Sequence, residues 1–352
     1  MRSTFLSRLI VLVALVAGAT PAAAAVTVRG AVPDDNPRAG WLDRYQDSRQ
    51  GPEQIDKVTQ TFKVGADGSL DLTGISGDVR VTGGSGNEVR VEATKRVRHR
   101  DAGQAKRLMN DLRVEMTHVG SRVEVRTVYP RRNNGERGIS ARVDYVVNVP
   151  SGVAVTVRSI SGSVVVTAVR GEVRAETISG DVEVSATPNV AVAKTVSGNV
   201  TARDIGSANL LSLGTVSGTV IASGLKVRAL EASTVSGNVR ISGVQIERVE
   251  ASCVSGNIEF DSPLTKGGRY EFTSHSGDVR IALSGNTGFE LDADTFSGSV
   301  RSDLPITLRT MGRDDRGRGR GTSNRAIRGS YGDASAILEV RSHSGSVVIT
   351  KK

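Results

Sequence analysis

The sequence has a single cysteine, Cys253, among its 352 residues. One cysteine cannot form an internal disulfide, so stability must come from packing and backbone hydrogen bonds. Aromatic residues make up only 3% of the chain, whereas glycine contributes 40 residues. The core must therefore be built from Val, Ile, Leu and Ala, a composition that favours thin, repetitive β structure over a helical globule.

Long apolar runs are also missing, except near the N-terminus. Arg2 and Arg8 precede an apolar run at residues 9–17, and small residues follow up to Ala25, which is the pattern of a secretory signal peptide. The run is shorter than the roughly 20 apolar residues that span a bilayer. We predict cleavage near Ala24 or Ala25, export to the periplasm, the outer surface or the medium, and no transmembrane segment in the mature chain.

One string, Ser-Gly-x-Val or Ile, occurs ten times, and from Ser161 to Ser297 it recurs every 18 to 21 residues. Apolar and polar residues alternate around it, as at 181–184, which predicts two short strands per repeat. We predict an all-β fold, a parallel β-solenoid with about 18–21 residues per coil. The glycines that supply the positive φ of each turn are predicted to be Gly77, Gly162, Gly180, Gly198, Gly218, Gly237, Gly256, Gly277, Gly298 and Gly345.

Stacking such coils converts equivalent positions into columns. Two residues before each motif serine from Ser161 onward the column is Thr, Ser or Cys253, which predicts a narrow, dry core with a buried thiol. An outward column is predicted to contain Arg240, Glu259, Arg280 and Arg301 as a ladder of mixed charge. In the column just before the serines, sequence order predicts that Phe296 lies between His275 and His343.

Residues that carry chemistry are not grouped in this sequence. The four histidines, His99, His118, His275 and His343, lack metal-ligand spacing, and there is no nucleophile elbow, phosphate loop or dinucleotide fingerprint. The turn aspartates are separated by coils with Ser, Asn or Thr, so no column of carboxylates is expected. We predict no catalytic residue, no metal site and no cofactor, and hence a protein that is not an enzyme.

The rest of the chain divides by composition. We assign residues 1–25 to the signal peptide, 26–57 to a linker with three prolines, and 58–150 to a smaller strand-rich region with a helix at 101–112. Residues 151–352 form the solenoid, interrupted near 311–332 by an Arg/Gly-rich insert that is predicted to be a mobile loop.

The basic residues suggest one class of ligand. Candidate contacts to an anionic ligand are Arg313, Arg316, Arg318 and Arg320 in the insert and Arg240 and Arg280 on the coils. Because the chain is predicted to be exported, an anionic glycan, lipopolysaccharide or another envelope component is the expected partner, and nucleic acid is not.

The repeated turns, such as ISGDVEV and VSGNVRI, resemble those of a family of exported bacterial proteins classed as putative adhesins. The likeness extends from about Thr59 to Thr350 and implies a β-solenoid domain without known catalytic residues. We therefore expect a non-catalytic binding or scaffold protein of the cell envelope or surface. A polysaccharide lyase or hydrolase built on a β-helix, and an accessory protein of the envelope stress response, are the alternatives.

Overall fold

The computed structural model describes residues 53–129, 140–308 and 326–352. In these residues the chain forms 27 β-strands and one α-helix. The strands make up two sheets of 13 and 14 strands, and most neighbouring strands are parallel. The prediction of an all-β solenoid with one helix is confirmed. No helix in the described ranges is both long and apolar enough to span a membrane.

The first sheet has 13 strands. In spatial order they are β1 (Glu53–Lys63), β4 (Glu88–Arg98), β7 (Ser140–Pro150), β3 (Val79–Gly84), β9 (Val164–Thr167), β11 (Val182–Ser185), β13 (Val200–Arg203), β15 (Val220–Ser223), β17 (Val239–Ser242), β19 (Ile258–Asp261), β21 (Val279–Leu283), β27 (Val347–Lys351) and β23 (Val300–Ser302).

The second sheet has 14 strands. In spatial order they are β24 (Thr307–Leu308), β25 (Ile327–Tyr331), β22 (Phe289–Ser297), β26 (Ala336–Ser344), β20 (Arg269–Ser276), β18 (Gln245–Ser255), β16 (Lys226–Ser236), β14 (Gly206–Ser217), β12 (Val190–Lys194), β10 (Val173–Ser179), β8 (Ala154–Ser161), β2 (Ser69–Thr73), β6 (Arg122–Val128) and β5 (Arg113–Val119).

Each coil runs along the second sheet, turns at the Ser-Gly corner and continues in the first sheet. Equivalent residues of neighbouring coils lie opposite each other, as Ser179 does to Ser161 and Val182 to Val164. The inward positions of these strands, for example Val182 and Val184, are fully buried. Because side chains alternate between the two faces of a strand, the motif valines fill the core while the residues between them face outward.

The strands before residue 150 continue the two sheets. β2 and β3 pair with β8 and β9, and β6 and β7 pair with the opposite edges of β2 and β3. The first sheet then ends in β4 and β1, which are antiparallel to their neighbours. These strands therefore share one core with the repeated coils. β1 begins at Glu53, inside the range assigned to the linker.

The helix α1 (Ala102–Asp111) packs against β4 and β1, with Ala105 and Met109 buried. Asp101, predicted to be its first residue, is its N-cap and accepts hydrogen bonds from the amides of Gly103 (2.7 Å) and Gln104 (3.0 Å). A capping carboxylate of this kind satisfies amides that have no partner within the helix.

The order of the coils at the C-terminal end differs from the order in the sequence. β26 pairs with β20 on one side and β22 on the other, and β27 lies between β21 and β23. The last coil of the chain is thus inserted between two coils that precede it. The expectation that coils stack in sequence order is wrong here, and several predicted columns change as a result.

Candidate binding surface

The Ser-Gly corner is closed by the backbone of the neighbouring coil. Of the ten predicted turn glycines, nine have positive φ, among them Gly237 at 145°, and Gly298 does not. A Cβ atom on Gly237 would overlap the carbonyl oxygen of Gly218 in the preceding coil. Glycine is required at this corner both for its backbone conformation and for the close approach of stacked coils.

A column of hydroxyl groups lies inside each corner. Thr195 and Thr215 donate hydrogen bonds of 2.9 Å to the carbonyl oxygens of Gly180 and Gly198, one coil earlier. Cys253 occupies the same column and its thiol donates to the Gly237 carbonyl oxygen at 3.3 Å. Cys253 is buried, as predicted, and burial raises the pKa of its thiol to about 11.

A second ladder joins the coils through the residue that follows each glycine. Asp181 Oδ1 accepts from the Asn199 amide at 2.7 Å, and Asn199 Oδ1 accepts from the Thr219 amide at 2.9 Å. Asp278 Oδ1 continues the pattern by accepting from the amide of Ser346, in the inserted coil, at 3.0 Å. The residues that follow the motif glycines therefore connect each coil to the next by hydrogen bonds. Most motif serines are the last residues of second-sheet strands, as Ser161 and Ser179 are, and the prediction that they are turn residues is wrong by one position.

The predicted mixed-charge column is present on the outer face of the first sheet, with one change. Glu259 lies between Arg240, at 3.0 Å, and Arg280, at 3.8 Å, and Arg280 also contacts Asp278 at 3.0 Å. Val348 of the inserted coil lies between Arg280 and Arg301. These two arginines are therefore not on adjacent strands, contrary to the column predicted from sequence order. Arg313, Arg316, Arg318 and Arg320 lie outside the described residues.

A column of carboxylates runs along the outer face of the second sheet, contrary to our expectation. Five adjacent strands place an acidic residue at the same position, five residues before the motif serine. In spatial order these residues are Glu231, Glu250, Glu271, Glu339 and Asp292. We call them the carboxylate lane. The constant spacing from the motif serine is the sequence signal of this column.

The carboxylate lane is only partly neutralised. Glu339 is paired with Arg269 at 2.5 Å, and Asp292 with Arg328 at 3.0 Å. Glu250 has no ion pair within the described residues. Partial burial and then the charges of Glu271 and Glu231 raise its pKa, while Arg248 lowers it. Glu271, at the centre of the lane, lies 4.0 Å from Arg341, so the unpaired negative charge within the described residues is at Glu250 and its neighbour Glu231.

The position just before each motif serine forms an exposed apolar ridge along the corner. It includes Ile160, Ile178 and Val254, each 43–50% exposed. At its C-terminal end the ridge becomes aromatic: the ring of His343 is stacked on His275 at 4.8 Å and on Phe296 at 4.9 Å. Because of the inserted coil, His343 is the central ring, and the prediction that Phe296 lies between the histidines is wrong.

No group of three or more His, Cys, Asp or Glu residues in the described ranges is arranged to hold a metal ion. The lane, the mixed-charge column and the ridge all lie on outward faces, and their members recur at the spacing of parallel strands, roughly 4.8 Å.

The model of the Toastrack DUF4097 family matches residues 138–350, which is more than half of the chain. The chain belongs to the Toastrack DUF4097 family. The Toastrack match begins within the N-terminal strand-rich region and covers all of the coils from β8 onward. No curated protein matches this Toastrack chain.

Solved structures with a similar arrangement include a putative lipid binding protein from Parabacteroides distasonis ATCC 8503, with 13% identity, covering 84% of this chain and 97% of that one, at a TM-score of 0.44. A putative adhesin from Bacteroides fragilis NCTC 9343 has 10% identity, with 84% and 97% covered, at a TM-score of 0.39.

Proposed function

We propose that this Toastrack protein is an exported, non-catalytic binding or scaffold protein of the cell envelope or surface. The observation that carries the proposal is the repetition of outward side chains along ten motif coils whose corners are locked to one another. Small-molecule sites are concave and converge on a few groups. Outward positions that recur from coil to coil along a sheet instead suit an extended polymer that repeats at a similar interval.

The favoured partner is an anionic envelope component, either a glycan or lipopolysaccharide, bound on the first sheet. Arg240 and Arg280 are each about half exposed and are joined by Glu259. Exposed ion pairs of this kind contribute little to stability, so a ligand phosphate or carboxylate can replace Glu259 at small cost. Arginine also binds such groups through two parallel hydrogen bonds.

The second sheet is the less suitable face for such a ligand. The carboxylate lane places negative charge along five adjacent strands, and like charges repel an anionic polymer. On the first sheet Arg240 and Arg280 outnumber Glu259, so we place the anionic ligand on that face.

The test is binding of the purified chain to immobilised lipopolysaccharide and to a panel of anionic glycans at several salt concentrations. The double variant Arg240→Ala/Arg280→Ala should lower affinity at least tenfold, because each lost charge-assisted contact contributes about 1.5–3 kcal/mol. Arg228→Ala, which removes an arginine that is 76% exposed on β16, is the matched control and should bind normally.

Two outcomes would contradict the proposal. The first is binding that is unaffected by the double substitution, or no binding to any envelope component. The second is release of unsaturated uronates or shortened chains from any polymer on the panel, which would make the protein an enzyme.

A further inference from the structure

The two ends of the solenoid protect their edge strands to different degrees. At the C-terminal end the edge strands are β23, with three residues, and β24, with two. At the other end of the first sheet the edge strand is β1, with eleven residues. Very short edge strands leave few unpaired backbone groups, whereas a long regular edge is a template for another strand.

The backbone groups on the outer side of β1 can be assigned from its register. Val64 donates to the Asn87 carbonyl oxygen at 3.0 Å, and these residues continue the antiparallel pairing of β1 with β4. Since hydrogen bonding alternates along an antiparallel strand, the even-numbered residues of β1 bond to β4. The odd-numbered residues, 53 to 63, direct their N–H and C=O groups away from β4. Within the described ranges no strand pairs with that side of β1.

The side chains of β1 are compatible with pairing to a second copy of itself. If a two-fold axis passes through Val58, all eleven residues are paired, and the odd-numbered residues lie opposite one another as hydrogen bonding requires. In this register Glu53 of each copy lies opposite Lys63 of the other. Asp56 faces Gln60, and Lys57 faces Thr59, so no like charges are directly opposed.

Other registers either pair fewer residues or oppose like charges. A two-fold axis at Thr59 pairs only nine residues of β1 and separates Glu53 from Lys63. A two-fold axis at Lys57 places that lysine opposite itself, and an axis at Asp56 does the same for the aspartate. Moving the axis to Gln60 sets Lys57 against Lys63. Like charges directly opposite each other destabilise strand pairs. The register centred on Val58 combines the greatest length with complementary charge.

We propose that two copies of this chain associate through β1, edge to edge and antiparallel, so that their first sheets join into one continuous sheet. The open edge of β1, its length and the Glu53 to Lys63 complementarity carry the proposal. The assembly is independent of ligand binding, and it would place two solenoids end to end with their C-terminal edges facing outward.

Sedimentation velocity of the purified chain over a range of concentrations should show twice the mass of one chain at high concentration. Thr59→Pro removes an N–H on the open side of β1 without removing one that bonds to β4, so it should give a single-chain mass. Thr59→Ser retains the N–H and should still associate. Lys63→Glu, which opposes two carboxylates, should raise the dissociation constant at least severalfold.

Cross-linking tests the register. Only Val58 lies opposite itself, so Val58→Cys in a Cys253→Ser background should form a disulfide between copies under mild oxidation. Gln60→Cys, on the same face of β1, should not. A single-chain mass at every concentration, or association that persists in Thr59→Pro with an unchanged circular dichroism spectrum, would overturn the proposal.

Discussion

The thiol of Cys253 donates a hydrogen bond to the carbonyl oxygen of Gly237, one coil earlier, at 3.3 Å. Thr195 and Thr215 make the equivalent bond through a hydroxyl at 2.9 Å. A thiol is the weaker donor. The hydrogen bond between coils is therefore weaker at Cys253 than at the threonines of the same column.

Replacing Cys253 by threonine should therefore stabilise the protein. We expect the free energy of unfolding to rise by about 0.5–1.5 kcal/mol, the net contribution of a typical hydrogen bond. The control is Cys253→Val, which has a similar shape but no donor, and should lower stability because the Gly237 carbonyl oxygen loses its side-chain partner. Denaturant unfolding checks both. Equal stability of the two variants would show that the column hydrogen bond contributes nothing.

Gly237→Ala should be strongly destabilising. The φ angle of 145° costs an L residue roughly 1–3 kcal/mol, and overlap with the Gly218 carbonyl oxygen adds a packing penalty of about 1–3 kcal/mol. Gly243→Ala is the matched control: its φ is 59°, but its Cβ would meet no atom closer than 4.0 Å. Thermal unfolding should show the larger loss at position 237. Similar losses of thermal stability in the two variants would show that the close approach of the coils at Gly237 adds no penalty.

The carboxylate lane should make stability depend on pH through Glu250. Its pKa is raised in the folded state, so its contribution favours folding below the unfolded-state pKa and is lost as pH rises through the folded-state value. Glu250→Gln should thus be more stable than the parent at neutral pH, by a few tenths of a kcal/mol given the exposure of the group. The gain should shrink as pH falls to about 4.

Glu247→Gln serves as the control for that measurement, because Glu247 lies on the same strand and faces Arg228 at 4.0 Å. It should show no comparable gain at neutral pH. If Glu250→Gln were no more stable than the parent near pH 7, the charge of the lane would be fully screened and the expected pH dependence absent.

The inserted coil should be as sensitive to core substitutions as the middle of the stack, although it lies within the last seventeen residues. Leu338 is fully buried in β26, between β20 and β22, and Leu338→Ala should cost about 2–5 kcal/mol. Ile337, its neighbour, is 40% exposed, and Ile337→Ala should cost far less. Comparable melting temperatures for the two variants would contradict the insertion of this coil.

Local features followed directly from the sequence. The recurring Ser-Gly-x-Val string predicted the coil, its two strands and the small inward column, because side-chain alternation and turn chemistry depend on residues that are close together in the chain. The helix was predicted for the same reason, from the spacing of Ala105, Leu108 and Met109. The predicted range, 101–112, extends one residue beyond the observed helix at each end.

Which coils are neighbours was decided by the tertiary structure alone. The coils offer nearly the same corner, the same inner hydrogen bond to a glycine carbonyl oxygen and the same backbone ladder, so the pairing energies of sequential and non-sequential neighbours are locally alike. The connecting segments therefore decide which coils become neighbours. In the described part of the chain, strands pair out of sequence order at two places, at β6 and β7 and at β26 and β27. The central place of His343 in the aromatic stack and the neighbour relations of Glu339 within the carboxylate lane follow from that order.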